Sequence, residues 1–369
     1  MKICYIIEGL YNSGGMERVL SVCASSLSKT FDVSILTLYQ RNQIYYFPLS
    51  PSVHRFDLDL EKASSMRLLK TKLSDFLMQH QFDIVVSLGG IDMYYLHSIK
   101  DGSKKIVWFH FAIDIAKTTW IGPNPTLKKK IKAQLQTWQR IYIARKFNRI
   151  ILISKADLVQ WRKYTRKGIL IYNPVTIQNQ FVSKRNSKSV ISVGRLDFQK
   201  GYDYLIKAWA LVAQKHPDWH LDIYGEGDLR GLLQEQIDTL KLTETITLCG
   251  RIPNIEEKYP QYSFFVMSSR AEGLGLVLLE AASCGLPLIS YDCPSGPSEI
   301  IQDGKNGFLV ERVGDISGLA NAINQLIEHH DLRNQMGDNA LQIAEETFSL
   351  KTIVQQWIDL FNQFNDAKN

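Results

Sequence analysis

The chain is poor in cysteine, and no two of its cysteines form a Cys-x-x-Cys pair. The five (Cys4, Cys23, Cys249, Cys284 and Cys293) are odd in number, and each lies among apolar or small residues. This excludes a disulfide framework and a zinc site of ordinary spacing; it reads as buried thiols in a reducing cytoplasm. No apolar run is long enough to span a bilayer. The opening Met1-Lys-Ile-Cys-Tyr-Ile-Ile-Glu8 holds a short apolar run stopped by an acid, which is a first strand and not a secretory leader. Short repeats and low-complexity tracts are also absent. So are two features of dinucleotide enzymes. The loop after the first strand, Glu8 to Arg18, carries Gly14-Gly15 without a G-x-G-x-x-G spacing. The second strand runs out at Leu38-Tyr39-Gln40 with no acid for a ribose. Nicotinamide and flavin roles are disfavoured on both counts.

What is present is alternation. At 369 residues the chain exceeds one ordinary core and implies two domains. Short β-branched runs at Lys2–Ile7, Asp32–Leu38, Ile84–Leu88, Ile106–His110, Ile150–Ser154 and Ile169–Tyr172 are separated by amphipathic helical stretches such as Glu17–Ser28 and Met66–Gln79. The same pattern restarts after Asn173-Pro174, with strands expected at Ser189–Val193, His220–Tyr224, Ile246–Cys249, Phe264–Ser268 and Leu288–Ser290. Strands alternating with helices predict βαβ units on parallel sheets. The expectation is two tandem doubly wound α/β domains, residues 1–174 and 175–349, with a polar hinge near residues 174–188. A last helix, Leu350 to about Phe364, carries Ile353, Val354, Trp357, Ile358, Leu360 and Phe361 on one side. It needs a surface to cover and is expected across the domain junction.

Charge divides the chain the same way. Residues 1–174 hold 26 basic and 12 acidic residues, net +14; the remainder holds 17 and 25, net −8. Two halves of opposite sign imply different partners.

Ligands of open parallel sheets sit beyond the carboxyl ends of strands, so the loops after strands carry the chemistry. In Arg270-Ala-Glu-Gly-Leu-Gly-Leu-Val-Leu-Leu-Glu280, two carboxylates stand eight residues apart. Glu280 falls inside a helix, and Glu272 on the loop entering it. Gly273 and Gly275 allow backbone N–H groups to approach an anion at that helix N-terminus. N–H groups for phosphate and carboxylates for hydroxyls suit a nucleotide-sugar. The loop Gly194-Arg-Leu-Asp-Phe-Gln-Lys-Gly201 sets Arg195 and Lys200 on one strand end of an otherwise acidic half. Arg grips a diphosphate bidentately and Lys as a point charge; a solvated charge pair is the alternative. Tyr224-Gly-Glu-Gly-Asp228 reads as a turn letting a base or ribose pass, and Gly250-Arg-Ile-Pro253 as backbone presented to a base. Gly14-Gly15 is either an anion-friendly turn or a plain strand-to-helix turn. His110, in Trp108-Phe-His-Phe111, is either a core residue or a site residue at a strand end.

Taken in order, Gly14-Gly15-Met-Glu-Arg18, Gly194-Arg195 with Lys200-Gly201, Tyr224-Gly-Glu-Gly227, Glu272-x7-Glu280, Asp292-Cys-Pro-Ser-Gly-Pro-Ser-Glu-Ile300 and Asp303-Gly-Lys-Asn-Gly307 resemble the family-4 glycosyltransferases (glycosyl transferases group 1) over nearly the whole chain. The resemblance implies the GT-B fold, two Rossmann-like domains facing a central cleft, and retaining transfer of a hexose from a nucleotide-sugar. It implies that Arg195 and Lys200 hold the donor diphosphate. Glu272 with the N–H groups of Gly273, Leu274, Gly275 and Leu276 would hold the transferred sugar and β-phosphate, and Glu280 the ribose. Arg251 and Ile252 would lie near the base, with Gly194 and Gly225 on neighbouring donor loops. Gly14, Gly15 and His110 would face the donor from the first domain, and His110 would act at the sugar. No metal or other cofactor is expected, because no Asp-x-Asp triplet is placed to hold one and Arg and Lys can do the work of a cation. A UDP-hexose is the favoured donor, and a lipid-linked or glycan acceptor of bacterial surface polysaccharide (capsule or lipopolysaccharide) synthesis the favoured acceptor.

The run Lys128-Lys129-Lys130-Ile-Lys132, followed by Trp138, Arg140, Arg145, Lys146 and Arg149, lies on expected helix. It is either a solvated face or a surface for anionic lipid, which would make the protein peripheral at the inner leaflet of the cell membrane. No nucleic-acid module accompanies it. Two other functions compete: a non-hydrolysing nucleotide-sugar epimerase and a sugar-nucleotide- or glycan-binding protein without turnover. The ordered Arg195, Lys200, Glu272 and Glu280 set argues against both.

Overall fold

The computed structural model describes residues 1–61, 64–118, 125–177 and 181–366. The expected hinge therefore falls partly outside the described residues, at 178–180. Two compact units are present. The first contains Met1–Lys117, Leu127–Thr176 and the C-terminal helix; the second contains Ile177–Ser349.

The first unit holds strands β1 (Lys2–Ile7), β2 (Asp32–Thr37), β3 (His54–Asp57), β4 (Ile84–Ser87), β5 (Lys104–Trp108), β6 (Arg149–Leu152) and β7 (Gly168–Leu170). Its helices are α1 (Gly15–Leu27), α2 (Met66–His80), α3 (Met93–Leu96), α4 (Ile115–Thr118), α5 (Leu127–Ala144) and α6 (Lys155–Arg162). The second unit holds β8 (Ser189–Val193), β9 (His220–Tyr224), β10 (Ile246–Gly250), β11 (Phe264–Met267), β12 (Leu288–Tyr291) and β13 (Gly307–Val310). Around them stand α7 (Tyr202–Lys215), α8 (Arg230–Thr239), α9 (Leu276–Ser283), α10 (Pro297–Ile300), α11 (Ile316–Glu328) and α12 (His330–Phe348). The final helix α13 (Leu350–Asp366) belongs to the first unit.

The first sheet runs β3-β2-β1-β4-β5-β6-β7 and the second β10-β9-β8-β11-β12-β13, and every pairing is parallel. Strands buried on both faces read as unbroken apolar runs. In β4, β11 and β12 every residue is buried, and in β1 and β2 all but the first. The second unit's core packs Leu221, Ile223, Phe264, Val266 and Ile289 against Trp209, Val212, Ile237 and Ile323 of its helices.

In each sheet the chain reverses direction of winding between the first strand and a later neighbour. The crevice of such a fold opens at that switch, beyond the carboxyl ends of the two flanking strands. In the second unit these are β8 and β11; in the first, β1 and β4.

Helix α13 buries its apolar side on the first unit. Trp357 is fully buried, its ring centroid 4.8 Å from Trp108 and 6.3 Å from Tyr5, and Phe361 lies 5.7 Å from Phe31. All five cysteines are free thiols; four are buried and Cys249 is half-buried.

Candidate functional site

The loops at the β8/β11 switch bring Lys200 and Glu272 together. After β8 the chain passes Gly194 and makes a 3-10 turn at Phe198–Lys200, capped by Asp197, whose carboxylate accepts from the Lys200 N–H at 3.2 Å. Gly201 then turns the chain into α7 with φ +64°; a side chain there would lie 2.2 Å from the Ser268 carbonyl oxygen. The turn throws the Lys200 side chain back across Gly194, whose missing side chain leaves room for its stem. After β11 the chain runs Ser268 to Gly275 and enters α9. Lys200 Nζ donates to Glu272 Oε1 at 2.7 Å, and Ser269 Oγ donates to the same oxygen at 2.5 Å. The Glu272 side chain is 7% exposed and that of Lys200 16%. A buried carboxylate needs such partners.

The two loops are fastened to each other by groups the sequence reading gave no role. Arg270 forks onto Asp203 at 2.9 and 2.7 Å and donates to the Phe198 carbonyl at 2.7 Å. Its guanidinium also lies 4.1 Å from the ring centroids of Phe198 and Tyr204. The Arg270 N–H donates to the Gln199 carbonyl, the Gln199 amide to the Ala271 carbonyl and Ser268 Oγ to the Lys200 carbonyl. Arg270 heads the Glu272–Glu280 motif, so its place in the sequence was a usable signal. Nothing in the sequence marked Asp203 as its partner.

Arg195 stands apart from that pair. Its side chain is 71% exposed and contacts Asp197 at 3.1 Å and Gln199 at 3.4 Å. Glu280, on α9, is buried and accepts from the Tyr259 hydroxyl at 3.0 Å. Gly275 caps α9 with φ +85°, leaving Gly273, Leu274 and Leu276 around the helix start. Gly225 serves the backbone: at φ +147°, an added Cβ would meet the Gly194 carbonyl oxygen at 1.8 Å. The close neighbour at the Tyr224–Asp228 turn is thus the β8 loop itself. Arg251 is exposed and Ile252 half-buried just past β10, whose register shifts between Leu248 and Gly250.

The remaining candidates belong to the first unit. Gly14 precedes α1 in extended conformation, and Gly15 is the helix's first residue. Glu17 already occupies that turn: a Cβ on Gly14 would lie 2.3 Å from its carboxylate, and burial raises the Glu17 pKa above the usual carboxylate range. β5 ends at Trp108, two residues short of the expected strand end, although the Phe109 N–H still donates to the Ile151 carbonyl of β6. His110 lies on the loop beyond, its ring 4.4 Å from that of Trp108. Both ring nitrogens are shielded and without a hydrogen bond among the described residues, and burial pushes the imidazole pKa down to about 3. The ring is therefore neutral at physiological pH, with one donor and one acceptor unused.

Among the described residues, no group of three or more His, Cys, Asp or Glu side chains is arranged to hold a metal ion. The Asp57-Leu-Asp59 triplet at the end of β3 is already engaged: Asp57 accepts from Thr37 Oγ1, Gln40 N and Arg41 N, and Asp59 pairs with Arg41 at 3.6 Å. No helix among the described residues is long and apolar enough to cross a membrane.

Residues 176–343 match the family model of glycosyl transferases group 1, which spans the second unit and both of its site loops. Over 373 residues the chain is 28% identical to the amylovoran biosynthesis glycosyltransferase AmsD of Erwinia amylovora, covering 98% of this chain and 99% of that one. It is 24% identical to the GalNAc-alpha-(1->4)-GalNAc-alpha-(1->3)-diNAcBac-PP-undecaprenol alpha-1,4-N-acetyl-D-galactosaminyltransferase of Campylobacter jejuni, over the full length of both. Among solved structures it resembles S. aureus TarM in complex with Fondaparinux, alpha-GlcNAc-glycerol and UDP. The TM-score is 0.81 at 17% identity, covering 98% of this chain and 99% of that one. The fold is thus that of GT-B glycosyltransferases, with two Rossmann-like parallel-sheet domains.

Proposed function

We propose that this chain, whose second unit matches the glycosyl transferases group 1 model, is a retaining glycosyltransferase of bacterial surface polysaccharide synthesis. It moves a hexose from a nucleotide-sugar, with UDP favoured, to a lipid-linked or glycan acceptor. The observation that carries this reading is the Lys200–Glu272 pair at the β8/β11 switch, where an open α/β sheet binds its ligand. Full-length similarity to AmsD and to the Campylobacter transferase supports the pathway and the acceptor class, and the UDP bound to TarM supports the donor class.

In this mechanism the acceptor oxygen attacks the sugar on the face from which the diphosphate departs. A phosphate oxygen takes the acceptor's proton, and the transition state resembles an oxocarbenium ion. Charge develops on the leaving diphosphate, so the protein's task is to stabilise it and hold the partners in place. Lys200, with Arg195, supplies the positive charge that a metal ion would otherwise bring. Glu272 orients Lys200 and the sugar and is not a general base. Glu280 holds the ribose, and Arg251 with Ile252 borders the base. Gly14, Gly15 and His110 take their donor roles from the family resemblance; a neutral imidazole with both nitrogens unused suits a sugar hydroxyl.

The test is hexose transfer from UDP-, GDP- and ADP-sugars to a lipid-diphosphate-linked acceptor, with EDTA present. The expected outcome is one UDP-hexose used, EDTA without effect and the anomeric configuration of the donor kept, as read by NMR of the product. Inverted configuration would overturn the retaining assignment, and a requirement for divalent metal would overturn the role of Lys200 and Arg195. Attachment to the inner membrane leaflet through the basic first unit is part of the same proposal.

A further inference from the structure

Helix α5 has two apolar faces. One is buried: Ala133, Thr137, Arg140, Ile141 and Ala144 pack into the first unit. The other is open to solvent. Leu127, Ile131, Leu135, Trp138 and Tyr142 are 75, 54, 64, 51 and 60% exposed. They recur at spacings of four, four, three and four residues, which aligns them in one stripe on a helix, nearly opposite the buried face. The stripe runs about 22 Å along the helix, at 1.5 Å per residue. Five large apolar side chains in one exposed row are more than the scattered exposure of an ordinary surface.

The charges around the stripe have one sign. Between Leu127 and Lys146 there are seven basic residues and no acidic ones. Lys128, Lys132 and Lys146 are exposed beside the stripe, and Lys146 Nζ lies 4.3 Å over the Tyr142 ring. Trp138 meets Tyr164 edge-on at 5.6 Å, which sets an aromatic pair in the middle of the row. Aromatic rings with an apolar body and a polar tip favour the boundary between lipid and water.

We infer that this face of α5 is an insertion surface: Leu127, Ile131, Leu135, Trp138 and Tyr142 enter the headgroup and upper acyl region of an anionic bilayer while the flanking lysines contact its phosphates. A second protein surface would have to match an apolar row edged only by positive charge, whereas an anionic membrane supplies both chemistries at once. The inference deepens the membrane attachment in the proposed function and rests on that part of it. It names the side chains that make the contact, and it shifts the attachment from charge alone to charge with burial.

The experiment is flotation of the full chain with vesicles of phosphatidylglycerol and phosphatidylcholine, or of phosphatidylcholine alone. Wild type is expected to float with the anionic vesicles, with a blue shift of tryptophan emission that Trp138→Phe abolishes. Leu135→Ser/Trp138→Ser should weaken binding about tenfold or more. Each of Lys128→Gln, Lys132→Gln and Lys146→Gln should weaken it about fivefold, and the loss should shrink at high salt. The lysine substitutions should leave the thermal midpoint unmoved, and the Leu135/Trp138 variant, which gives up the Trp138–Tyr164 contact, should stay folded with a small shift at most. Three results would each overturn the inference: no binding to anionic vesicles, binding unchanged in the Leu135/Trp138 variant, or a dimer in solution that this variant makes monomeric. No donor is present in the assay, so absence of hexose transfer would sink the transferase reading and leave this result intact.

Discussion

Lys200 Nζ sits 2.7 Å from Glu272 Oε1 across 72 residues of sequence. The contact exists because β8 and β11 are neighbours at the point where the second sheet reverses its winding. The ammonium is mostly buried and held by a carboxylate that also accepts from the Ser269 hydroxyl. In the proposed reaction, such an arrangement would let the charge stabilise a leaving diphosphate with little reorganisation.

Replacing Lys200 by Ala should therefore lower turnover by about 100-fold or more. It also leaves Glu272 buried without its cation, so the fold should lose roughly 2 kcal/mol. Turnover and urea denaturation are the measurements. Near-wild-type turnover in a folded Lys200→Ala protein would refute the assignment.

Arg270 acts on the site through its neighbours. It ties Asp203 and the Phe198 carbonyl to the β11 loop, and so sets the turn that aims Lys200. Arg270→Lys keeps the charge but not the fork, so turnover should fall at least about tenfold. Donor KM should change less than kcat, because the groups proposed to contact the donor remain. Full activity in Arg270→Lys would show that the fork is dispensable.

Gly225 and Gly304 separate backbone strain from crowding. Both have positive φ, but a Cβ on Gly225 would strike the Gly194 carbonyl oxygen at 1.8 Å, while one on Gly304 meets nothing within 4 Å. Gly225→Ala should destabilise by about 3 kcal/mol or more, since the β8 loop must move. Gly304→Ala should lose about 1 kcal/mol from conformation alone. Equal thermal midpoints for the two variants would contradict this account of the β8–β9 contact.

Asp92, on the loop after β4, is 1% exposed. Burial raises its pKa from 3.8 to about 7, with Glu8 adding to the shift; Ser87 and nearby N–H groups moderate it without a well-formed hydrogen bond. The folded state thus holds a proton that the unfolded state releases. The stability this contributes is complete below about pH 3.8 and is lost as pH rises through about 7. Asp92→Asn should match wild type most closely near pH 4, gain on it up to about pH 7 and keep a constant lead above that. Parallel midpoint-versus-pH curves would show that Asp92 is ionised in the fold.

Much of this architecture was legible in the sequence, and the exceptions have physical causes. β1, β8 and β9 lie where their apolar runs placed them, residue for residue, because interior parallel strands are buried on both faces. β3 (His-Arg-Phe-Asp) and β13 (Gly-Phe-Leu-Val) went unread. Each is a four-residue edge strand, the first mostly polar and the second opened by a glycine. Lys200 and Glu272 were each legible as strand-end charges, but their contact was not, because it depends on which strands neighbour each other. The Tyr224–Asp228 turn was legible as a tight turn, but not that Gly225 makes room there for the Gly194 carbonyl. The basic run on α5 was visible as charge, whereas the exposed apolar row beside it needed the buried face to be known first.

The most direct test of the central claim is calorimetric titration of UDP into the wild-type chain and into Lys200→Ala, both with EDTA present. The account predicts saturable binding by wild type and a loss of about tenfold or more in affinity in the variant, since one charge-assisted contact to the diphosphate is removed. UDP binding that is unchanged by Lys200→Ala, or that appears only when divalent metal is restored, would contradict it.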